Sequence, residues 1–169
     1  MKKTNMNICL IFQIVAVLAT GLVAGLFYGY SCSVNSGLGN LSDEKYLEAF
    51  QSINRVIQNP MFFLSFMGSV FILPISSYLM YRNGVSTSFY LLIGATLVYL
   101  ISVFGVTVVG NVPLNDQLDK FSILSATANE ISAMRKAFET PWNAYHSVRT
   151  IGSVLSFVLA VLSIIKLKI

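Results

Sequence analysis

Three stretches of this 169-residue chain, about 8–30, 61–81 and 89–110, each exceed twenty residues without one charged side chain. A helix of that length rises about 30 Å and matches the hydrocarbon core of a bilayer. No water is present there to satisfy a peptide group, so such stretches must be helical. With 55% hydrophobic and 11% charged residues, the chain is too apolar for an ordinary soluble domain. A fourth apolar stretch, about 142–165, completes the pattern. The expected fold is all-α: an integral membrane four-helix bundle, one domain over residues 1–169, with long outer loops at 31–60 and 111–141.

The fourth stretch differs from the others. Its uncharged part, Thr150 to Ile165, rises only about 24 Å as a helix. Arg149 and His146 are therefore placed inside or at the edge of the membrane, where ionisable groups usually face the protein interior and mark a site. A helix starting at Pro141 sets Trp142, His146, Arg149 and Ser153 on one narrow stripe, flanked by Asn143 and Thr150, at about 100° per residue. Arg149 alone has the reach to snorkel to the interface; His146 does not, which favours an inward pair. Trp142 and Tyr145 equally suit an interfacial aromatic belt.

Two more polar clusters converge on the same end: Asn54 and Arg55 through Asn59-Pro60, and Gly110-Asn111-Val112-Pro113-Leu114-Asn115-Asp116. The candidate site is thus His146 and Arg149 with Trp142, Asn143, Asn111, Asn115, Asn54 and Arg55, arranged around an apolar interior. A flat, largely apolar ligand suits such a pocket. Blander roles exist for parts of it: Asn59-Pro60 and Thr140-Pro141 read as helix caps, and Asn111 to Asn115 suits a plain turn of the chain.

The outer loops are not linkers. After Ser42, the residues Tyr46, Phe50, Ile53 and Ile57 recur at helical spacing. Thr127-Ala128-Asn129-Glu130 has the pattern of a capping box, followed by Ile131, Met134 and Phe138 on one face. Each loop therefore carries an amphipathic helix able to lie over the bundle end as a lid. Gly21, Gly25 and Gly29 form a smooth stripe for close helix approach, within the bundle or across a homodimer. Pro74, in the middle of the second span, is expected to kink it or free a carbonyl. The first span is longer than a signal h-region and shows no small-x-small cleavage site, so it reads as a span.

Lys2, Lys3, Arg82, Lys166 and Lys168 lie on short segments, whereas the other basic residues share the long loops with all seven acids. The positive-inside rule then puts both termini in the cytoplasm and the long loops outside, in a plasma (inner) membrane protein. The net charge of +4 is this orientation signal and needs no nucleic-acid partner. Cys9 and Cys32 sit roughly 35 Å apart by helical rise, too far to bridge. One histidine and two distant cysteines do not make a zinc or iron–sulfur site. A haem held by His146 as its one axial ligand stays open.

The sequence resembles the anthrone oxygenase family of small four-helix membrane proteins. The resemblance rests on Ala49-Phe50-Gln51-Ser52-Ile53-Asn54-Arg55 with Asn59-Pro60, on Gly110 to Asn115, and on Trp142-Asn143 with His146 and Val148-Arg149-Thr150. It implies oxidation of an anthrone to a quinone by molecular oxygen, with no cofactor required. Under it, His146 is cast as base and Arg149 as oxyanion partner, while Asn111, Asn115 and Asn143 orient substrate or peroxide and Trp142 stacks on the rings. The partners implied are a small apolar aromatic substrate, oxygen and the lipid bilayer. Two other readings of the same residues are a haem- or quinone-binding membrane redox or sensor protein using His146, and a structural membrane subunit.

Overall fold

In a computed structural model, described here over residues 4–167, the chain forms five helices, and no strand occurs among the described residues. They are α1 (Met6–Gly39), α2 (Asp43–Ile57), α3 (Pro60–Tyr81), α4 (Thr87–Asp119) and α5 (Ala128–Ile165). All but α2 are long and apolar enough to cross a membrane. Lys2, Lys3 and Lys168, which contribute to the expected orientation, lie outside the described residues.

Local chemistry sets the helix starts. Asn5 caps α1 by accepting from the Asn7 amide at 2.9 Å. Asn59 caps α3 from the residue before Pro60, accepting from Phe62 N at 3.0 Å, and Ser86 caps α4. The capping box at Thr127 and Glu130 forms in full. Within the spans, hydroxyls that have no water to bond turn back onto their own helix. Thr20 bonds the Ala16 carbonyl at 2.7 Å and Ser77 the Leu73 carbonyl at 2.9 Å, which satisfies polar groups inside an apolar layer.

The spans are longer than the apolar runs suggest. α1 does not stop near Tyr30: a wide π-type turn over Tyr30–Val34 carries it on to Gly39. α4 likewise passes through wide turns at Tyr99–Gly105 and Thr107–Asn111 before its last α-helical piece, Val112–Asp119. The segment Gly110 to Asn115 therefore continues the helix rather than turning the chain. Thr140-Pro141 does not start a new helix either. α5 runs straight through Pro141 from its cap at Thr127, so the second amphipathic helix is an extension of the last span. The lost bond would have ended on Ala137, which is exposed and can be solvated instead.

In the bundle, α1 and α4 each pack against both α3 and α5, and they meet each other at a buried hydrogen bond from Gln13 Nε2 to Ser88 Oγ at 3.0 Å. A central core of Ala16, Val23, Phe27, Phe66, Leu73, Ala95, Tyr99, Val103 and Ala160 fills the middle. At one end a second cluster joins α2 to α4 and α5 through Leu47, Phe50, Leu118, Ile131, Phe138 and Trp142. This is the site end of the molecule. Apolar side chains also cover the outside of the spans, with Leu22, Phe71, Ile101 and Ile151 each exposed by more than 60%. Exposed apolar surface on every span is what an integral membrane protein presents to lipid.

Candidate functional site

At the site end the helices enclose a cavity of about 510 Å³, in the range of small-molecule pockets. Its walls are mostly aromatic and aliphatic: Phe27 and Tyr30 from α1, Ile53 and Ile57 from α2, Phe62 and Phe66 from α3, Phe104 and Val108 from α4. Trp142, His146 and Arg149 of α5 complete it. The polar stripe of α5 thus forms one wall of a pocket.

The stripe is held from three sides. The Trp142 indole donates to Asn115 Oδ1 at 2.8 Å, and Asn111 Nδ2 donates to the Trp142 carbonyl at 3.3 Å. The His146 ring lies flat against the indole, with centroids 4.9 Å apart and planes 17° apart. Arg149 Nε donates to His146 Nδ1 at 3.1 Å. With Nδ1 accepting, the neutral ring carries its proton on Nε2, and Nε2 stands 3.0 Å from Ser31 Oγ. Ser31 in turn lies 3.3 Å from Thr150 Oγ1. Arg149, His146, Ser31 and Thr150 form one hydrogen-bonded chain across α1 and α5.

Arg149 has unusual surroundings for a cation. It is 91% buried, being only 9% exposed, yet no ion pair among the described residues includes it. Its guanidinium lies instead over two aromatic faces, 4.4 Å from the Phe27 centroid and 5.0 Å from that of Trp142. Desolvated cation–π contacts are worth about 2 kcal/mol each, against a desolvation penalty of several kcal/mol for a buried charge. Nε is committed to His146, which leaves the two terminal amino groups for an occupant of the cavity. An anionic oxygen is the ligand atom that such a site favours.

Of the residues singled out in the sequence, His146, Arg149, Trp142, Asn115 and Asn54 line the cavity. Asn111 is fully buried behind Trp142. Asn143 is half-buried and, like Asn111, stands outside the lining. Arg55 is exposed, and its Nε donates to Asp119 Oδ1 at 2.8 Å. It ties α2 to the end of α4 rather than facing the pocket. Side-chain atoms of Asn54, Asn111 and Asn143 are buried without a partner. Sequence reasoning missed Phe27, Tyr30 and Ser31. Their signal is present: Phe27, Tyr30, Ser31 and Val34 share one helical face, but it emerges only if α1 continues past Tyr30.

Gly21 approaches Phe157 of α5, where an added Cβ would lie 3.0 Å from the ring, whereas Gly25 and Gly29 face open space. Among the described residues no three His, Cys, Asp or Glu side chains gather as a metal site. To hold a haem iron, His146 would have to release Ser31 from Nε2 or Arg149 from Nδ1.

No curated protein and no solved structure matches the chain significantly. A family model does, that of anthrone oxygenase, over residues 62–159, which spans α3, α4 and most of α5 and carries the Trp142, His146 and Arg149 wall. Since the match covers more than half of the 169 residues, the chain belongs to the anthrone oxygenase family.

Proposed function

We propose that the cavity binds a flat, largely apolar aromatic substrate of the anthrone type and that the protein oxidises it to a quinone with molecular oxygen. The observation that carries this reading is Arg149, a buried cation with aromatic rings in place of a carboxylate, facing an apolar cavity beside the single histidine. An anthrone supplies what that cation needs. Its methylene lies between two aryl rings and across from a carbonyl, so removal of one proton spreads charge onto the carbonyl oxygen.

The steps balance without another reductant. The two terminal amino groups of Arg149 take the substrate oxygen, Nε lets go of His146 Nδ1 as they do so, and the freed Nδ1 takes the methylene proton. The resulting anion passes one electron to oxygen, and the two radicals join at the ring carbon as a peroxide. Protonated by the imidazolium, the peroxide loses the remaining hydrogen on that carbon to the base. The O–O bond breaks, hydroxide leaves and takes that proton back from the imidazolium as water, and the second carbonyl forms. Arg149 acts as the oxyanion stabiliser, worth most in a site from which water is excluded. Ser31 holds the far side of the imidazole, and Asn115 fixes the indole against which it rests.

The test is oxygen uptake and quinone absorbance with purified protein and a simple anthrone, in the presence of a chelator. His146→Ala is expected to lower turnover by about 10²–10⁴, the usual contribution of a general base. Uptake no faster than anthrone autoxidation in the unsubstituted protein would overturn the reading.

A further inference from the structure

The cavity has two kinds of edge. Gln58 and Asp116, both exposed, border it where α2 meets the end of α4. The remaining exposed lining residues are large and apolar: Leu26 at 41%, Phe63 at 43%, Val108 at 47% and Val112 at 41%. They sit on α1, α3 and α4, within the spans. α3 and α4 pack together from their connecting turn as far as Gly105 and then make few contacts. The last aromatic contact between them is Phe66 on Phe104, with centroids 6.1 Å apart. Phe63 and Val108 each stand about one helical turn beyond that contact, toward the site end. Both line the cavity, and both are open to the outside.

We propose that the cavity is loaded sideways from the hydrocarbon layer, through the gap between α3 and α4 framed by Phe63 and Val108 above the Phe66–Phe104 floor. The inference rests on the reading above and narrows its substrate class to molecules dissolved in the membrane rather than delivered from water. The geometry favours this route because every exposed residue along the gap is apolar, so a flat ring system passes without shedding or gaining a water shell. The gap coincides with the wide turn at Thr107–Asn111, which begins where the packing of α4 on α3 thins out. The polar edge at Gln58 and Asp116 then serves water at the head of the pocket, while oxygen, itself apolar, is supplied from the hydrocarbon along with the substrate.

The chain's only tryptophan, Trp142, lies in the cavity wall and reports occupancy without turnover. The experiment follows its fluorescence by stopped flow in lipid nanodiscs mixed with anthraquinone, a membrane-soluble quencher. Membrane loading requires that the quenching rate follow the mole fraction of quinone in the lipid, not its aqueous concentration. Val108→Phe should slow quenching and recovery in parallel, by about fivefold or more, because it narrows the passage for both directions. Leu64→Phe, on the lipid face beside Phe63 but outside the cavity lining, should change neither. A rate that follows aqueous quinone, or a loss in Gln58→Phe with none in Val108→Phe, overturns the proposal. Because this readout needs no oxygen, failure of anthrone oxidation leaves it intact. Absence of saturable quenching in the unsubstituted protein would instead overturn the pocket reading itself.

Discussion

At the scale of single residues, Arg149 and Ser31 separate function from stability most cleanly. A buried guanidinium without a carboxylate is a cost to the fold that the aromatic faces of Phe27 and Trp142 only partly offset. Arg149→Met keeps the length of the side chain and discards the charge. Thermal denaturation in detergent is expected to show an unchanged or raised midpoint, while anthrone turnover falls by about 10²–10³, as on losing an oxyanion donor. A midpoint that drops with the activity would assign Arg149 to folding. Ser31 acts through His146, so its role is to position. Ser31→Ala should lower kcat by about tenfold, the equivalent of one hydrogen bond, and Ser31→Thr should restore it. Equal losses in both variants would mean that the site tolerates only the original side chain for packing. The α5 half of the site was legible because Trp142, His146 and Arg149 recur at helical spacing among apolar neighbours. Ser31 and Tyr30 were not, because an apolar run shows where a span fits a membrane and not where its helix ends. Arg55 looked like a site residue, and its pairing with Asp119 joins positions 64 apart in sequence. No local pattern reveals such a contact.

At the scale of elements, the glycines that matter for packing are not the conspicuous ones. The Gly21, Gly25 and Gly29 stripe is visible as a repeat, yet only Gly21 meets a neighbouring helix closely. Gly152 has no companion in the sequence, and an added Cβ there would lie 2.7 Å from Ser102 Cβ. That atom belongs to the stem of a side chain on α4 and cannot swing aside. Gly152→Ala should therefore destabilise the bundle by about 1–3 kcal/mol through overpacking, read as a lower midpoint in detergent. Gly25→Ala should be neutral or stabilising, by up to about 1 kcal/mol, since alanine favours helix and nothing stands within 4 Å. If Gly25→Ala instead weakens crosslinking between copies while the monomer stays as stable, the open part of the stripe is the homodimer face. The wide turns in α1 and α4 are equally unannounced. Each shifts the facing of every later residue, which breaks the 3.6-residue period on which sequence reading depends. They fall where Tyr30, Thr107 and Val108 reach the cavity, so the sequence is least transparent where it builds the site.

At the scale of the whole molecule, three spans could be read from charge-free length and the fourth from an apolar run that begins just after Arg149, and the bilayer then permits little but an all-helical bundle. Orientation depends on a weaker force, the bias of Lys and Arg toward short cytoplasmic segments. Arg82 lies in the short connection between α3 and α4, and Lys166 just beyond α5. The site end holds six basic residues but all seven acids. Several of its charges are also tied down locally, Arg135 to Asp43 and Glu139, and Arg55 to Asp119, which leaves little net attraction to a cytoplasmic surface. The expected arrangement therefore puts the site end outside and the α3–α4 connection in the cytoplasm. Single cysteines introduced after replacing Cys9 and Cys32 test it. Ser125→Cys, in the exposed turn before α5, should react with a membrane-impermeant maleimide on intact cells. Val85→Cys, 58% exposed in the opposite connection, should react only after permeabilisation. The reverse pattern would turn the molecule over. The polar edge at Gln58 and Asp116 would then meet the water of the cytoplasm, while the apolar gap between α3 and α4 would open to the same hydrocarbon as before.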